Sequence, residues 1–478
     1  MAKRAICWMR RDLRLTDHAA LAKATRSADS VAVAFVLDTN ILGALSDRDD
    51  RRVTMIHRSL QEVDEGLRRH GSRLVVLHGD PAEKVPELAA RLEADLVVAA
   101  RDYEPYARDR DSRVARSLRR VGSELRLVRD TVTIEPDELV TQAGTPFTVF
   151  TPFSKAWRAR FSPDRAAEEV PDLGRLRPET ELRPVLRDWP IESIGFETAD
   201  LWQQPGESAA RRRLADFVPK MQDYGRLRDF PAADSTSVLS PDLRFGTISI
   251  RELVRTALAD GSPGSDKWLS ELIWREFYQH ILFHFPHVVD RSFRPEFADL
   301  EWPGSDEHFE AWCAGHTGYP IVDAAMRCFN ATGWMHNRLR MVVAMFLTKD
   351  LLVDWRKGEQ YFARYLIDFE LASNNGGWQW SSSTGCDAQP YFRIFNPWLQ
   401  SVKFDPEGKF IRRWVPEIRG LSNERIHAPH EASMFEQIDA GCIVGQDYPH
   451  PIVDHARQRE RAIRLLESVR KDSQTVGR

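Results

Sequence analysis

Residues 368–397 read DFELASNNGGWQWSSSTGCDAQPYFRIFNP, a stretch that crowds acids, amides, glycines and indoles together. Asp368 and Glu370 precede Asn374-Asn375-Gly376-Gly377. Trp378 and Trp380 follow, then the hydroxyl-rich residues 381–384, Arg393 and a stop at Asn396-Pro397. Asn-Asn-Gly-Gly has the composition of a turn, where the backbone takes φ > 0 and approaches a ligand closely. Carboxylates and amides bond the rim of a ring while indoles supply flat faces, so the set suits a large, planar, polar-edged aromatic molecule. It also suits a buried helix corner whose tryptophans are core, and the stretch alone does not choose between the two.

Two further segments carry chemistry. In residues 267–285, Trp268, Glu271, Trp274, Arg275 and Tyr278 share one helix face at roughly 100° per residue. Leu269, Ile273 and Phe277 fall on the packing side. That polar, aromatic face is a poor core and a good pocket wall, and a carboxylate among indoles loses solvation. A half-exposed, snorkelling face is the alternative reading. From Trp334 the chain reads GWMHNRLRMVVAMF. Asn337 and Met341, four apart, share a face. Arg338 and Arg340 project to either side of it, so one can reach a phosphate while the other meets an acid near a ligand.

These segments need a scaffold. The 478 residues exceed one hydrophobic core, so at least two domains are expected. A net charge of -4 gives no global attraction to nucleic acid, which leaves DNA binding to a local basic groove. Five cysteines, an odd number without a C-x-x-C pair, argue against a disulfide framework and a thiolate metal site, and no metal is expected. The first residues read as a basic strand rather than a signal peptide, and no apolar run has membrane-spanning length, so a cytoplasmic, soluble chain without a membrane is expected. Nothing suggests an interface, so a monomer with no obligate protein partner is expected.

Apolar runs at residues 5–9, 31–37, 74–77, 96–99 and, more weakly, 125–128 alternate with helical patterns at 18–25, 51–70, 82–92 and 106–121. The alternation predicts a Rossmann-like α/β domain with a parallel sheet over residues 1–130. Met9-Arg10-Arg11-Asp12 stands where a G-x-G-x-x-G loop would, so no nicotinamide site is read there, and no P-loop is present. Residues 131–209, rich in proline, arginine and glutamate, read as an interdomain connector wrapping the surface. Residues 210–478 read as a mostly α-helical domain, with helices at 243–258, 267–285, 321–332 and 337–354 and Gly333 at a helix C-cap.

The motifs CWMRRDLRLTDHAAL, TSVLSPDLRFGTIS, WLSELIWREFYQHIL, TGYPIVDAAMR and GWMHNRLRM, with residues 368–397, together resemble the photolyase/cryptochrome flavoproteins. The resemblance spans nearly the whole chain, and within the family it is closest to class I cyclobutane pyrimidine dimer photolyases. It implies an N-terminal α/β antenna domain, a connector and a helical, FAD-binding catalytic domain. It further implies light-driven repair of pyrimidine dimers in DNA, by electron transfer from excited FADH⁻ to a dimer flipped out of the duplex.

Site roles follow from that resemblance, position by position. Tyr224, Thr236, Ser237, Val238, Leu239 and Ser240 match the family's clasp on the FAD phosphates and ribose. Trp268, Glu271, Arg275, Asp368, Glu370 and Asn374 match flavin-contacting positions, and Arg340 matches the partner of Asp368. Glu370 departs from the usual aspartate, which puts a side-chain contact in doubt but not a backbone one. Asn337 is matched to the residue facing flavin N5, where an amide favours reduced flavin. Glu271 resembles the carboxyl that bonds the damaged base, Trp274 and Trp380 its aromatic walls, with Met341 beside it. Arg228, Tyr278, Arg338, Arg393, Gln400 and Lys403, with Trp274, match positions along the DNA, where phosphate contacts position the strand without reading it. Trp378, Trp355 and Trp302 match an electron-transfer chain from flavin to surface.

Folate-binding relatives carry Asn-Glu where this chain has Tyr106-Ala107, which counts against a methenyltetrahydrofolate antenna. The EPYARDRD run resembles members using 8-hydroxy-deazaflavin or another flavin. Other readings fit less well. Cryptochromes often change the Asn374 position. (6-4) photolyases place a histidine pair where this chain has His336-Asn337, DASH relatives are disfavoured because Trp274 and Trp380 are both tryptophan, and a nucleotide hydrolase needs a phosphate loop.

Overall fold

Residues 2–476 are described by the computed structural model, in which five apolar runs pair as a parallel sheet of order β3-β2-β1-β4-β5. The strands are β1 (Ala2–Met9), β2 (Ala28–Asp38), β3 (Leu74–Gly79), β4 (Leu96–Ala100) and β5 (Glu124–Val128). Helices α1 (Ala19–Ser27), α2 (Arg51–Arg68), α3 (Pro81–Leu92) and α4 (Pro105–Arg120) connect them. The N-cap side chains of Asp50 and Asp80 accept the N–H groups of Arg52 and Ala82, which fixes where α2 and α3 start. Strands β1, β2 and β4 are buried on both faces, as expected for a sheet covered by crossover helices.

The chain divides into two compact units whose boundary is not the one expected at residue 210. The first holds residues up to Gln222 together with Ser237–His284; the second holds Asp223–Thr236 and Phe285 onward. Buried ion pairs help explain why 237–284 joins the first unit. Arg251, on α6 (Ile250–Asp260), is buried and donates to Asp17 Oδ1 at 2.8 Å and Asp130 Oδ1 at 2.8 Å. Arg14 donates to both oxygens of Asp130 at 2.8 Å. Burial alone would raise the Asp130 carboxyl, but Arg14 and Arg251 outweigh it and hold the pKa below the ordinary range. Breaking such a fully buried set costs about 3–5 kcal/mol per lost partner.

The connector also departs from expectation. Residues 131–209 do lie along the first unit, through the Val31–Leu176 bridge and an Ala199 N–H donated to Thr54. They contain a helix that their composition hid, α5 (Phe150–Arg160), packed on α7 (Pro263–His284). The helix expected over 243–258 is instead two, Ser240–Phe245 and α6, broken at Gly246. Gly246 has φ 68°, and a Cβ there would fall 2.0 Å from the Arg11 carbonyl, so only glycine permits the turn.

Among the described residues the second unit has helices and no β-strand. It includes α8 (Pro320–Thr332), α9 (Asn337–Met345), α10 (Trp355–Tyr365), α11 (Leu371–Ser382), α12 (Pro397–Phe404) and α13 (His455–Val476). Gly333 caps α8 in the left-handed conformation, φ 71°, as the sequence indicates. The helix expected over 337–354 is α9 followed by one π-turn, Phe346–Asp350. Trp312, Phe329, Leu339, Val343, Trp355, Phe362 and Trp378 lie in one buried core.

Candidate functional site

In the second unit, α9 begins at His336, whose Nδ1 accepts the Arg338 N–H at 3.2 Å. Burial, more than the neighbouring arginines, pulls the His336 pKa down to about 4, so the ring stays neutral and can cap. The cap aims the next turn. Arg340 donates to the Met335 carbonyl at 2.8 Å and to Asp368 Oδ2 at 2.7 Å, which pairs the two residues as the sequence reading expects. Asn337 is exposed, its amide nitrogen 4.0 Å from Met341 Sδ, and Met341 is half-buried.

Residues 374–377 are not a turn. They lie inside α11, and neither glycine there has positive φ. The amides explain why this glycine pair stays helical. Asn375 donates to the Val288 carbonyl at 2.7 Å, and Gln379 donates to Val288 at 3.0 Å and Arg291 at 3.2 Å. Asn374 is buried, and its NH₂ donates to Glu359 Oε1 at 2.9 Å and to the Glu359 carbonyl at 3.2 Å. Its own carbonyl oxygen is left as the acceptor. Glu370 is buried at the helix start and accepts from Ser373 Oγ at 3.1 Å. The hydroxyl run is spent on the protein itself: Ser381 bonds the Gly377 carbonyl, and Ser382 bonds Thr384. Buried Lys349, its pKa drawn down to about 7 by burial, donates to Ser382 O and Ser383 Oγ at 2.9 Å and secures the helix end.

Basic side chains converge beside α9. Arg338 donates to Asp229 Oδ2 at 2.8 Å and lies 4.4 Å over the Phe404 ring, while Lys403 lies 5.2 Å over the same ring. Arg228 stands 3.7 Å from Asp229 and over Tyr224. Arg338, Arg228 and Lys403 are therefore gathered around one carboxylate and one phenyl ring. Gln400 shares α12 with Lys403, and Arg393 is exposed in the segment before that helix. Trp355 and Trp378 are buried in the main core with Trp302 packed against it, and Trp380 is half-buried.

In the first unit, α7 carries the second set. Trp268 is buried against Phe217 at 5.0 Å; Glu271 is half-buried, 3.8 Å from Lys267 Nζ. Arg275 donates to the Thr131 carbonyl at 2.6 Å. Trp274 is stacked by the ring of Phe150 and meets Tyr278 at a tilt, 5.6 Å away. Leu269, Ile273 and Phe277 are buried, as the helical period requires. Residues 236–239 lead into the helix Ser240–Phe245, with Leu239 as its N-cap. Val238 there holds φ 53°, a costly conformation for a β-branched residue and one that clusters at ligand-binding turns.

A second candidate region lies at the carboxyl ends of β1 and β2, where parallel sheets bind ligands. Tyr106 donates to Asp38 Oδ2 at 2.6 Å, Arg110 sits over Trp8 and Tyr106, and Arg10 pairs with Asp111. Partial burial would raise the Asp102 carboxyl, yet Arg11, Arg10, Arg110 and Arg244 hold its pKa below the ordinary range.

Composition could not have revealed Glu359, Lys349 or Phe150, whose roles depend on partners distant in sequence. The donor set of the second unit fits FAD. Asp368 Oδ1 is buried without a hydrogen-bond partner among the described residues, beside an Oδ2 fixed by Arg340. A buried carboxylate oxygen left so costs about 1–3 kcal/mol unless a ligand N–H or O–H meets it, and a flavin dinucleotide carries both.

Comparison with known proteins adds the following. Residues 5–172 match the family model described as DNA photolyase, and residues 268–468 match the FAD binding domain of DNA photolyase. A deoxyribodipyrimidine photo-lyase of Synechococcus is 42% identical, covering 96% of this chain and 96% of its own. The crystal structure of a bacterial class III photolyase from Agrobacterium tumefaciens superposes with a TM-score of 0.88 at 35% identity, over 98% of each chain. An archaeal photolyase from Sulfolobus tokodaii, solved with two FAD molecules, superposes at 0.83 with 31% identity, over 97% of this chain and 100% of that one.

Proposed function

The chain belongs to the DNA photolyase family, and from that premise we propose that it repairs cyclobutane pyrimidine dimers in DNA with light. The observation that carries the reading furthest is the Arg340–Asp368 pair, with its buried, unsatisfied carboxylate oxygen, on a chain whose helical half matches an FAD-binding family model. The chemistry that bound, fully reduced FAD supplies is the light-driven transfer of one electron to the dimer and its return once both cyclobutane bonds have opened.

The protein's own groups bind and orient. Tyr224, residues 236–240, Trp268, Arg275, Arg340, Asp368, Glu370 and Asn374 hold the cofactor in this reading. We assign the N5-facing role to Asn374 rather than to Asn337. A buried amide with its NH₂ committed to Glu359 presents a fixed acceptor to a ring N–H, whereas the Asn337 amide is exposed. Asn337 and Glu271 then address the damaged base, with Trp274, Trp380 and Met341 around it. Arg228, Tyr278, Arg338, Arg393, Gln400 and Lys403 hold the strand by charge and stacking. Trp378, Trp355 and Trp302 serve photoreduction.

The Tyr106–Asp38 bond and the arginines stacked on Trp8 support a planar aromatic antenna, 8-hydroxy-deazaflavin or another flavin, at the carboxyl ends of β1 and β2. No helix among the described residues is long and apolar enough to cross a membrane; we infer a cytoplasmic monomer that needs no protein partner. The test is repair itself. Photoreduced protein is mixed with an oligonucleotide carrying one thymine dimer, lit at blue wavelengths and scored for restored thymine against a dark control. Light-dependent restoration is expected; its absence, with FAD bound and photoreducible, overturns the assignment.

A further inference from the structure

The segment that reads as a connector supplies an aromatic ring to the substrate wall. Phe150 opens α5, and its ring lies face to face with Trp274, centroids 3.6 Å apart and planes within 7°. Full overlap is not the arrangement that aromatic quadrupoles prefer, so the surroundings must hold it. Phe277 meets both rings edge-on, at 5.9 Å and 75° to Phe150 and at 5.6 Å and 82° to Trp274. The helices α5 and α7 are fastened along their length. Trp157 Nε1 donates to Glu276 Oε2 at 2.7 Å, Phe153 packs 5.2 Å from Phe277, and Arg158 donates to Asp266 at 2.7 Å and Ser270 at 3.1 Å. Glu276 is wholly buried and also accepts the Thr133 N–H at 2.5 Å and bonds its hydroxyl, so it ties the helix to the connector two residues from Trp274.

We propose that Phe150 is a positioning residue for lesion recognition: it covers one face of Trp274, fixes the indole plane, and leaves the opposite face and edge for the damaged base. The proposal rests on the reading that Trp274 walls the dimer. Nothing in the sequence of residues 131–209 indicated a contribution to the site. The consequence is specific to damaged DNA, because undamaged duplex is held by the phosphate contacts alone.

The experiment compares dissociation constants for one duplex with and without a thymine dimer, at fixed salt. The proteins are FAD-loaded wild type, Phe150→Ala, Phe150→Leu, Phe150→Tyr, Trp274→Ala and the Phe150→Ala/Trp274→Ala double variant. An aromatic pair of this kind corresponds to roughly 2- to 10-fold in an equilibrium constant. Phe150→Ala and Phe150→Leu are expected to lose about that factor in damaged-over-undamaged preference. Affinity for undamaged duplex and FAD content stay unchanged, Phe150→Tyr restores the preference, and the double variant loses no more than Trp274→Ala. The leucine variant keeps the bulk if the alanine variant does not fold. Should Trp274→Ala discriminate as wild type does, the underlying reading falls and the proposal with it. If Trp274→Ala loses preference while both Phe150→Ala and Phe150→Leu keep it, or if the two sites lose it additively, only the positioning role is overturned. A gain of lesion affinity in Phe150→Ala also overturns it, because the ring then occupies the face the base needs.

Discussion

The side-chain amide of Asn374 gives both its hydrogen-bonding directions to one residue, Glu359, at 2.9 Å through Oε1 and 3.2 Å through the main-chain carbonyl. Glu359 is itself buried, and burial raises its pKa against the Asn374 bond that lowers it. The result is an amide whose orientation is set by the protein before any ligand arrives, with its oxygen turned away from the carboxyl.

That orientation separates two asparagines. Asn374→Ala is expected to keep FAD but to lose the reduced form severalfold faster in air, followed by the recovery of oxidised-flavin absorbance after photoreduction. Asn337→Ala should retain the reduced form as wild type does and lose repair rate instead. A short-lived reduced flavin in Asn337→Ala, with Asn374→Ala unaffected, would reverse the assignment.

Asp229 shields part of the positive surface, since Arg338 donates to it at 2.8 Å and Arg228 stands 3.7 Å away. Arg338→Ala should weaken binding to damaged and undamaged DNA alike and reduce the slope of log affinity against log salt by about 1. Asp229→Asn should do the reverse, tightening undamaged DNA and steepening the slope. Salt titrations of both variants on undamaged duplex check the pair of outcomes.

His336 predicts a loss of stability in mild acid. Its native pKa lies at about 4, below the ordinary 6.5, because burial disfavours the cation. Above pH 6.5 neither state carries the proton. Between 6.5 and about 4 the unfolded chain binds it and the native state does not, so stability falls as pH falls, at up to roughly 1.4 kcal/mol per unit. His336→Asn keeps a capping acceptor and does not titrate. Urea midpoints measured from pH 7 to 4 should fall less steeply for the variant, and equal slopes would remove His336 from the acid response.

Trp355 sits at the start of α10, buried in the same core as Trp378. Trp355→Phe should slow photoreduction of oxidised flavin by external donors while leaving repair by chemically reduced protein intact. A comparison of the two rates in one preparation decides it. Loss of both would mark a packing defect rather than a break in an electron path.

Much of this architecture follows from local pattern. Residues 96–99, an unbroken run of Val and Ala after Leu96, could only be an interior strand, and β4 ends one residue later. The face shared by Trp268, Glu271 and Trp274 was legible because helical geometry fixes it. What local pattern could not show was set by remote partners. Gly376 and Gly377 read as a turn because Asn375 and Gln379 bond Val288, nearly ninety residues earlier, and hold the helix from outside. The segment 131–209 read as a connector because the bond from Trp157 to Glu276 spans 119 residues. His336 gave no signal as a cap, since histidine is an uncommon choice there.

The salt-bridged set formed by Arg14, Asp17, Asp130 and Arg251 bears on how such chains can be recombined. A crossover between two related genes placed at residue 210 would draw Asp17 and Asp130 from one parent and Arg251 from the other. A chimera that lost the guanidinium would seal two carboxylates in the interior, with Asp130 left to Arg14 and Asp17 to Arg255. Shuffled offspring should therefore survive when the junction keeps residues 14–17, 130 and 251 from one parent or from parents that agree at all of them. The segment that looks like a natural joint is thus a poor place to cut.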